Sequence, residues 1–313
     1  MACNEPFHPE RFSPVRPEDL PYLRPRLHAS RAESCEFALG NLFLWGPAFH
    51  IRWQEAAGHL FLEMMDEEEK TEAIMFVPEV DRPDPAPACL AEVSRLVRAQ
   101  GNSGVFQHVA REYLDAHPDT AEYFRTEEMP PAFAEYIHAI PALAELHGEK
   151  YSKKRNLVKQ FFALYPGAMT RPLGEADLTS CLDLARRWRL AHEAPESTYL
   201  LQEESAIRRL ADVPLDALAM VGYGAFVNDT LVAFEFCSPI AGDLWDEHFE
   251  KAEFAFKGAA QAVNRDCARF LRDRHHAAWL NREQDLGSTG LRQAKLSYHP
   301  DRLLQEYLLV PRE

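Results

Sequence analysis

One stretch constrains the fold of this chain more than any other: two apolar runs, ALAMVGYGAFV (217–227) and TLVAFEFC (230–237), separated only by Asn228-Asp229. Both runs are rich in residues that favour strands, and an Asn-Asp pair suits the tight two-residue turn of a hairpin. With so little polar surface on either run, the hairpin is expected to be buried. Other elements must cover it.

Those elements can be read on both sides. Upstream, Met169 to Leu173 is a short strand candidate, and EADLTSCLDLARRWRL (175–190) spaces Leu178, Cys181, Leu182, Leu184, Ala185 and Trp188 as a helix does. A second helix is expected over Glu203 to Leu210. Downstream, LWDEHFEKAE (244–253) reads as a third strand, whose alternation puts Asp246, His248 and Glu250 on one face and Trp245, Phe249 and Lys251 on the other. A helix from Lys257-Gly258 to about Arg272 follows. The strand AAWLN (277–281), a turn with a helix, and a last strand around LQEYLLV (304–310) complete this half.

The N-terminal half has a similar order. Helical EFALGNLFLWG precedes the strands FHIRWQEA, HLFLEMM and AIMFV; a proline-rich loop from Pro78 to Pro87 leads into the helix CLAEVSRLVRA and the strand GVFQHVA. The expectation is a degenerate duplication of one α+β unit, with domains 1–150 and 151–313.

Charge narrows the partners. Forty-nine acidic residues against 34 basic ones give a formal charge of -15, so the overall field repels nucleic acid and anionic membranes, and a polyanion must be met by a local patch. The six cysteines form no C-x-x-C pair, which fits a reducing cytoplasm. No secretory signal is evident in MACNEPFHPERF, and no apolar run approaches the roughly 20 residues of a membrane span. A soluble cytoplasmic protein is expected.

Three groups of residues could carry chemistry. In EKYSKKRNLVKQF, Lys150, Lys153, Lys154, Arg155 and Lys159 place five positive charges in ten residues with no acid among them. This is either a solvated helix face or an anion site. The polar strand face of Asp246, His248 and Glu250 is the second group: burial there raises carboxylate pKa values and makes general acids and bases, whereas an edge position would leave the face merely wet. In the third, NREQDLGSTGLRQAKLSYHP (281–300), Gly287 and Gly290 bracket Ser288-Thr289 at a helix start, where free N–H groups favour an anion or an oxyanion. Arg292 and Lys295 then share one helix face; ordinary turn and cap chemistry explains the same pattern. His275, His276 and His299 have no metal-ligand spacing, and no metal site is expected.

Taken together, LHGEKYSKKRNLVKQFFALYP, EHFEKAE, GAAQAVNRDCA and NREQDLGSTGLRQAKLSYHP resemble, over roughly 135–310, the family similar to the C-terminal domain of phosphatidylglycerol lysyltransferases. The resemblance implies two tandem domains of the GCN5-related N-acetyltransferase (GNAT) fold, each a mixed twisted sheet flanked by helices. It implies the branch containing the Fem-type peptidyl transferases, which move an aminoacyl group from a charged tRNA to an amine or hydroxyl. Matched residue by residue, it points to Lys153, Lys154, Arg155 and Asn156, to His248, Glu250 and Lys251, and to Asn264. It points also to Asn281, Arg282, Glu283, Asp285, Gly287 and Gly290, and to Arg292, Lys295 and Tyr298.

Two positions depart from the family pattern: Ser152 stands where His is common, and the glycine loop that binds coenzyme A is reduced to Lys257-Gly258-Ala259. Aminoacyl-tRNA is therefore the expected donor, with acetyl-CoA as the alternative, and a small-molecule or peptide amine or hydroxyl as the acceptor. In the catalytic set of Glu250, Asp285, His248 and Lys295, Glu250 or Asp285 would be the base, and the Gly287–Gly290 helix start or Lys295 would receive the oxyanion. A non-catalytic binding module on the same scaffold is the remaining alternative.

Overall fold

The computed structural model describes residues 7–66, 71–192 and 194–312. Two seven-stranded sheets organise them. Across the first run Ser13–Pro14, Arg52–Ala56, His59–Asp66, Thr71–Phe76, Phe106–Val109, Tyr307–Pro311 and Phe124–Glu128. Across the second run Met169–Leu173, Val221–Val227, Thr230–Ala241, Leu244–Ala252, Trp279–Asn281, Glu135–Ala139 and Arg302–Leu304.

The two layouts repeat position by position. In each sheet the first four strands are antiparallel, the fourth and fifth are parallel, and the last two return to antiparallel pairing. A parallel pair needs a crossover, supplied by the helices Pro87–Arg98 and Ala259–His275. Two helices follow the first strand of each: Leu20–His28 and Leu39–Leu44 in one, Leu178–Leu190 and Thr198–Arg209 in the other. The protein is thus two GNAT-like halves, each a mixed sheet flanked by helices.

The sixth place in each sheet is filled by a strand from the opposite half. Glu135–Ala139 lies between Trp279–Asn281 and Arg302–Leu304, whereas Tyr307–Pro311, expected to end the C-terminal half, lies between Phe106–Val109 and Phe124–Glu128. The residue-150 boundary thus falls between two reciprocal crossings of the chain. A shared core follows, in which Leu39, Leu42 and Phe43 pack with Leu184, Ile207, Phe234 and Phe236.

The hairpin closes as its turn residues dictate, with Asn228 and Asp229 at φ 46° and 63° and Thr230 paired with Val227. The next strand departs from simple alternation. Phe236 pairs with Phe249 and Cys237 with Glu247, which leaves His248 as an extra, bulged residue. One inserted residue moves everything beyond it to the other face. The expected row of Asp246, His248 and Glu250 is therefore split: Asp246 and His248 face the helix Leu39–Leu44, while Glu250 joins Glu247 on the side of the helix Ala259–His275. Phe249 and Lys251 likewise part company with Trp245. Among the described residues no helix is long and apolar enough to cross a membrane.

Candidate active site

Strands Leu244–Ala252 and Trp279–Asn281 pair only from Leu244 to Asp246; beyond that the longer strand continues without this neighbour. The chain leaving Asn281 turns sharply, with Glu283 at φ 57° and its N–H donating to Asn281 Oδ1 at 2.8 Å. Arg282 therefore points across the opening. Its Nε and Nη2 donate to the two oxygens of Glu247 at 2.7 and 2.8 Å, and Nη2 also donates to Glu250. The guanidinium lies 4.9 Å from the Tyr298 ring centroid, and Lys154 Nζ sits 3.8 Å from the same ring while donating to Ser297 Oγ at 2.7 Å.

One guanidinium serves several acids here. Glu247 and Glu250 share Arg282, and the fully buried Glu235, the cross-strand partner of Glu250, feels the same charge without bonding to it. Burial raises Glu250 to about 7; Arg282 works against this and Glu247 adds to it. Burial also pushes Glu235 well above the ordinary carboxylate range. Lys154 is lowered to about 8 by burial and by the Arg282 charge. For Arg282 burial acts downward, yet Glu247 and Glu250 carry it well above its usual value. It stays charged.

Several buried polar atoms on this side have no hydrogen-bond partner among the described residues: Arg282 Nη1, the Tyr298 hydroxyl, Glu235 Oε2 and both amide atoms of Asn264, while the buried His138 faces the Tyr298 backbone. Buried donors and acceptors are rarely left unpaired, and this many around one guanidinium imply a polar occupant, water or substrate. The half-buried Glu250 and Lys154 border the way in.

A second polar group lies on the opposite face. His248 is enclosed, with Nε2 2.7 Å from Ser238 Oγ and Nδ1 2.8 Å from Asn41 Oδ1, and burial lowers it to about 3. With its pKa held that low and both nitrogens enclosed, His248 has no access to the opening beside Glu250. Asn41 Nδ2 donates to Asp246 Oδ2 at 3.1 Å and to Glu283 Oε1 at 3.2 Å. Burial raises Glu283 to about 8 and Asp246 well above its ordinary value. Behind them Glu135, fully buried, accepts from Ser34 Oγ at 2.6 Å, Cys35 N at 2.9 Å, Gln284 Nε2 at 3.0 Å and Asn281 Nδ2, and so fixes the turn that carries Arg282.

The other expected residues make no hydrogen bond or ion pair with Glu250, although the Lys295 charge is felt by Arg282 and Glu247. Asp285 accepts from Arg292 Nε and Nη2 at 2.8 and 3.0 Å, from the Tyr136 hydroxyl at 2.6 Å and from Gly287 N at 2.9 Å. The Arg292 bonds hold it down to about 2. A carboxylate so stabilised as an anion is a poor base, which favours Glu250 over Asp285 for that role. Gly287 N is taken by Asp285 and Leu291 N by Ser288 Oγ, so part of the helix start expected to hold an oxyanion is already capped; beside Gly287 there is open space, while a Cβ at Gly290 would lie 3.9 Å from Ser288 Oγ. Lys295 Nζ donates to the Gln284 carbonyl and interacts with Glu283 rather than with Glu250. Lys251 pairs with Glu203 at 2.7 Å beneath Trp188.

The basic cluster divides as well. Arg155 Nη1 donates to the carbonyls of Leu146 and Gly148, ending the helix Ile140–Glu145, while Lys153, Asn156 and Lys159 are exposed. Sequence reasoning missed Glu235, Glu247, His138, Asn41 and Glu135. Glu247 stood in the motif already, but strict alternation sets it on the face opposite Glu250, and only the bulge at His248 brings the two together. The other four carry no local pattern.

At the turn before the helix Ala259–His275, Gly258 has φ 87°, and a Cβ there would lie 2.2 Å from the Leu157 carbonyl oxygen. The helix Ser152–Leu164 rests directly on this turn. Two surface grooves, about 450 Å³ beside Tyr22 and Trp53 and about 290 Å³ beside Arg95 and Tyr123, lie away from the charged cluster.

Two mixed sheets of this order, with a bulged fourth strand parting from the fifth around polar residues, define a tandem GNAT-like protein of the acyltransferase class. The family described as "Phosphatidylglycerol lysyltransferase, C-terminal" matches residues 28–310, and the chain belongs to it. No curated protein matches the sequence. Among solved structures, a conserved protein of unknown function from Bacteroides thetaiotaomicron is similar at 26% identity and a TM-score of 0.85, over 96% of this chain and 99% of that one. The C-terminal domain of a putative lysylphosphatidylglycerol synthetase from Agrobacterium fabrum aligns at 14% identity and a TM-score of 0.66, over 95% and 92%. L-PGS from Bacillus licheniformis aligns at 14% and 0.60, over 94% and 91%.

Proposed function

We propose that this transferase moves an aminoacyl group from a charged tRNA to an amine or hydroxyl acceptor, and that the reaction takes place at the strand opening beside Arg282 and Glu250. The carrying observation is the pairing of a near-neutral carboxylate with a guanidinium that keeps one nitrogen free. The acceptor's nitrogen or oxygen attacks the ester carbonyl carbon and passes its proton to Glu250. Negative charge gathering on the carbonyl oxygen is met by Arg282 Nη1 and the Tyr298 hydroxyl. The bond from carbonyl carbon to ribose oxygen then breaks, and Glu250 returns the proton to that oxygen.

The relatives' printed names, lysylphosphatidylglycerol synthetase and phosphatidylglycerol lysyltransferase, favour an aminoacyl donor. The exposed Lys153 and Lys159, on the helix whose Lys154 enters the opening, suit a phosphate backbone. Acetyl-CoA is disfavoured because the helix Ser152–Leu164 covers the turn where its pyrophosphate would need backbone N–H groups.

The test is a transfer assay with a pool of charged tRNAs and a panel of amines and alcohols, alongside calorimetry with acetyl-CoA. Transfer that Glu250→Gln abolishes supports the reading. Low-micromolar binding of acetyl-CoA without tRNA-dependent transfer would replace the donor, and no turnover with either would leave a binding module.

A further inference from the structure

The carboxylates of Asp246 and Glu283 and the ring of His248 bring one oxygen or nitrogen each within 4.8 Å of one another, on the sheet face opposite Glu250. His248, kept neutral by burial, holds Ser238 and Asn41 with its two nitrogens, and its Nδ1 also lies 3.2 Å from Asp246 Oδ2. A single amide, Asn41 Nδ2, is shared by both acids, and Asp246 Oδ1 is fully buried with no partner. Asp246 stands opposite Asn281 in the last pair before the strands part, so this group adjoins the opening from behind.

Donors are too few here, and the one nearby cation, Lys295, offsets the burial of Glu283 only in part. A neutral ligand supplies only the donors. A primary ammonium supplies one positive charge and three N–H groups, matching Asp246 Oδ1 and the free capacity of Glu283. The half-buried Glu283 and Gln284 form the outer side, while Lys295, the nearest cation, is held by the Gln284 carbonyl.

We propose that Asp246 and Glu283 form a subsite for a primary ammonium group of a substrate. The role of this subsite in transfer rests on the acyltransferase reading, but its binding chemistry does not. The ammonium can come from the acceptor or from the α-amino group of the aminoacyl donor.

Calorimetry on the full chain with 1,5-diaminopentane and with 1,5-pentanediol isolates the charge, and alaninamide stands for the aminoacyl end. The diamine or alaninamide is expected to bind and the diol not to; which of the two binds identifies the source. Asp246→Asn and Glu283→Gln are each expected to weaken that binding at least about tenfold. Glu283 is half-buried, so its variant remains informative if the Asp246 variant does not fold. Equal binding of diamine and diol, failure of both cations to bind, or unchanged affinity in a folded Glu283→Gln protein overturns the proposal. Ammonium binding without transfer would keep the subsite and refute the enzyme reading, whereas transfer to alcohols with no ammonium binding would do the reverse.

Discussion

Arg282 and Glu250 meet where two neighbouring strands stop pairing: the guanidinium holds Glu247 with two nitrogens and gives Nη2 to Glu250 as well. Glu250 thus has part of one guanidinium and the more distant Lys154 to offset its burial, and its affinity for a proton stays near neutrality. If it is the base, kcat/KM rises with pH through about 7 and levels off above. Glu250→Gln keeps the shape and is expected to cut turnover about 10²- to 10⁴-fold and to remove that pH limb. A full-activity variant with the limb intact would assign the base elsewhere.

Asp285 gives the contrasting case. Asp285→Asn weakens its bonds from Arg292, Tyr136 and Gly287, and is expected to cost about 1–3 kcal/mol of stability, the scale of buried polar groups left mismatched. Turnover of the folded fraction should stay within a few-fold of the parent. Urea melts and initial rates measured together separate the two effects, and a loss of rate comparable to that of Glu250→Gln would restore Asp285 as a catalytic group.

The sequence made the hairpin, the crossover helix and the family motifs legible because each is a local matter: turn residues at 228–229, helical spacing over 259–275, short contiguous runs. It did not reveal the exchange of Glu135–Ala139 and Tyr307–Pro311, since a strand's pattern says which faces are apolar and nothing about which sheet it joins. The bulge at His248 was hidden for a similar reason. Only the register against Phe236 and Cys237 exposes it, and that single residue decides which face Glu250 occupies. Glu135 and Asn41 reach the site through hydrogen bonds to residues far along the chain, 146 positions away for Glu135 to Asn281 and 205 for Asn41 to Asp246.

Stability should depend on pH in one direction through these buried acids. Burial raises Glu135 and Glu250 to about 7 and Glu283 to about 8. A carboxyl whose folded pKa exceeds its unfolded one binds its proton more tightly when folded. Its contribution is complete below the unfolded pKa, about 4.3, and is lost as pH rises through 7 to 8. His108, carried to about 9 by Glu306 against its burial, acts in the same sense between about 6.5 and 9. His248 and His138, each held near 3 by burial, act in the opposite sense up to about 6.5, so Tm is expected to fall between about pH 7 and 8.5, and Glu283→Gln to flatten the decline. A Tm that rises over this interval would show that these acids ionise freely in the folded protein.

The basic helix allows its two uses to be separated. Arg155 ties the carbonyls of Leu146 and Gly148, so Arg155→Ala should lower Tm while leaving the salt dependence of tRNA binding unchanged. Lys153 and Lys159 are exposed, and Lys153→Ala with Lys159→Ala should leave Tm nearly unchanged. If these lysines meet phosphates, the double variant weakens binding and reduces the slope of log K against log salt by about one unit for each phosphate it no longer neutralises. Lys154 lies between Tyr298 and Ser297 and faces Glu250, so its removal should act on turnover more than on the slope. Filter binding at several salt concentrations decides the matter: an unchanged slope in the double variant returns Lys153 and Lys159 to an ordinary solvated helix face and moves any tRNA binding elsewhere on the chain.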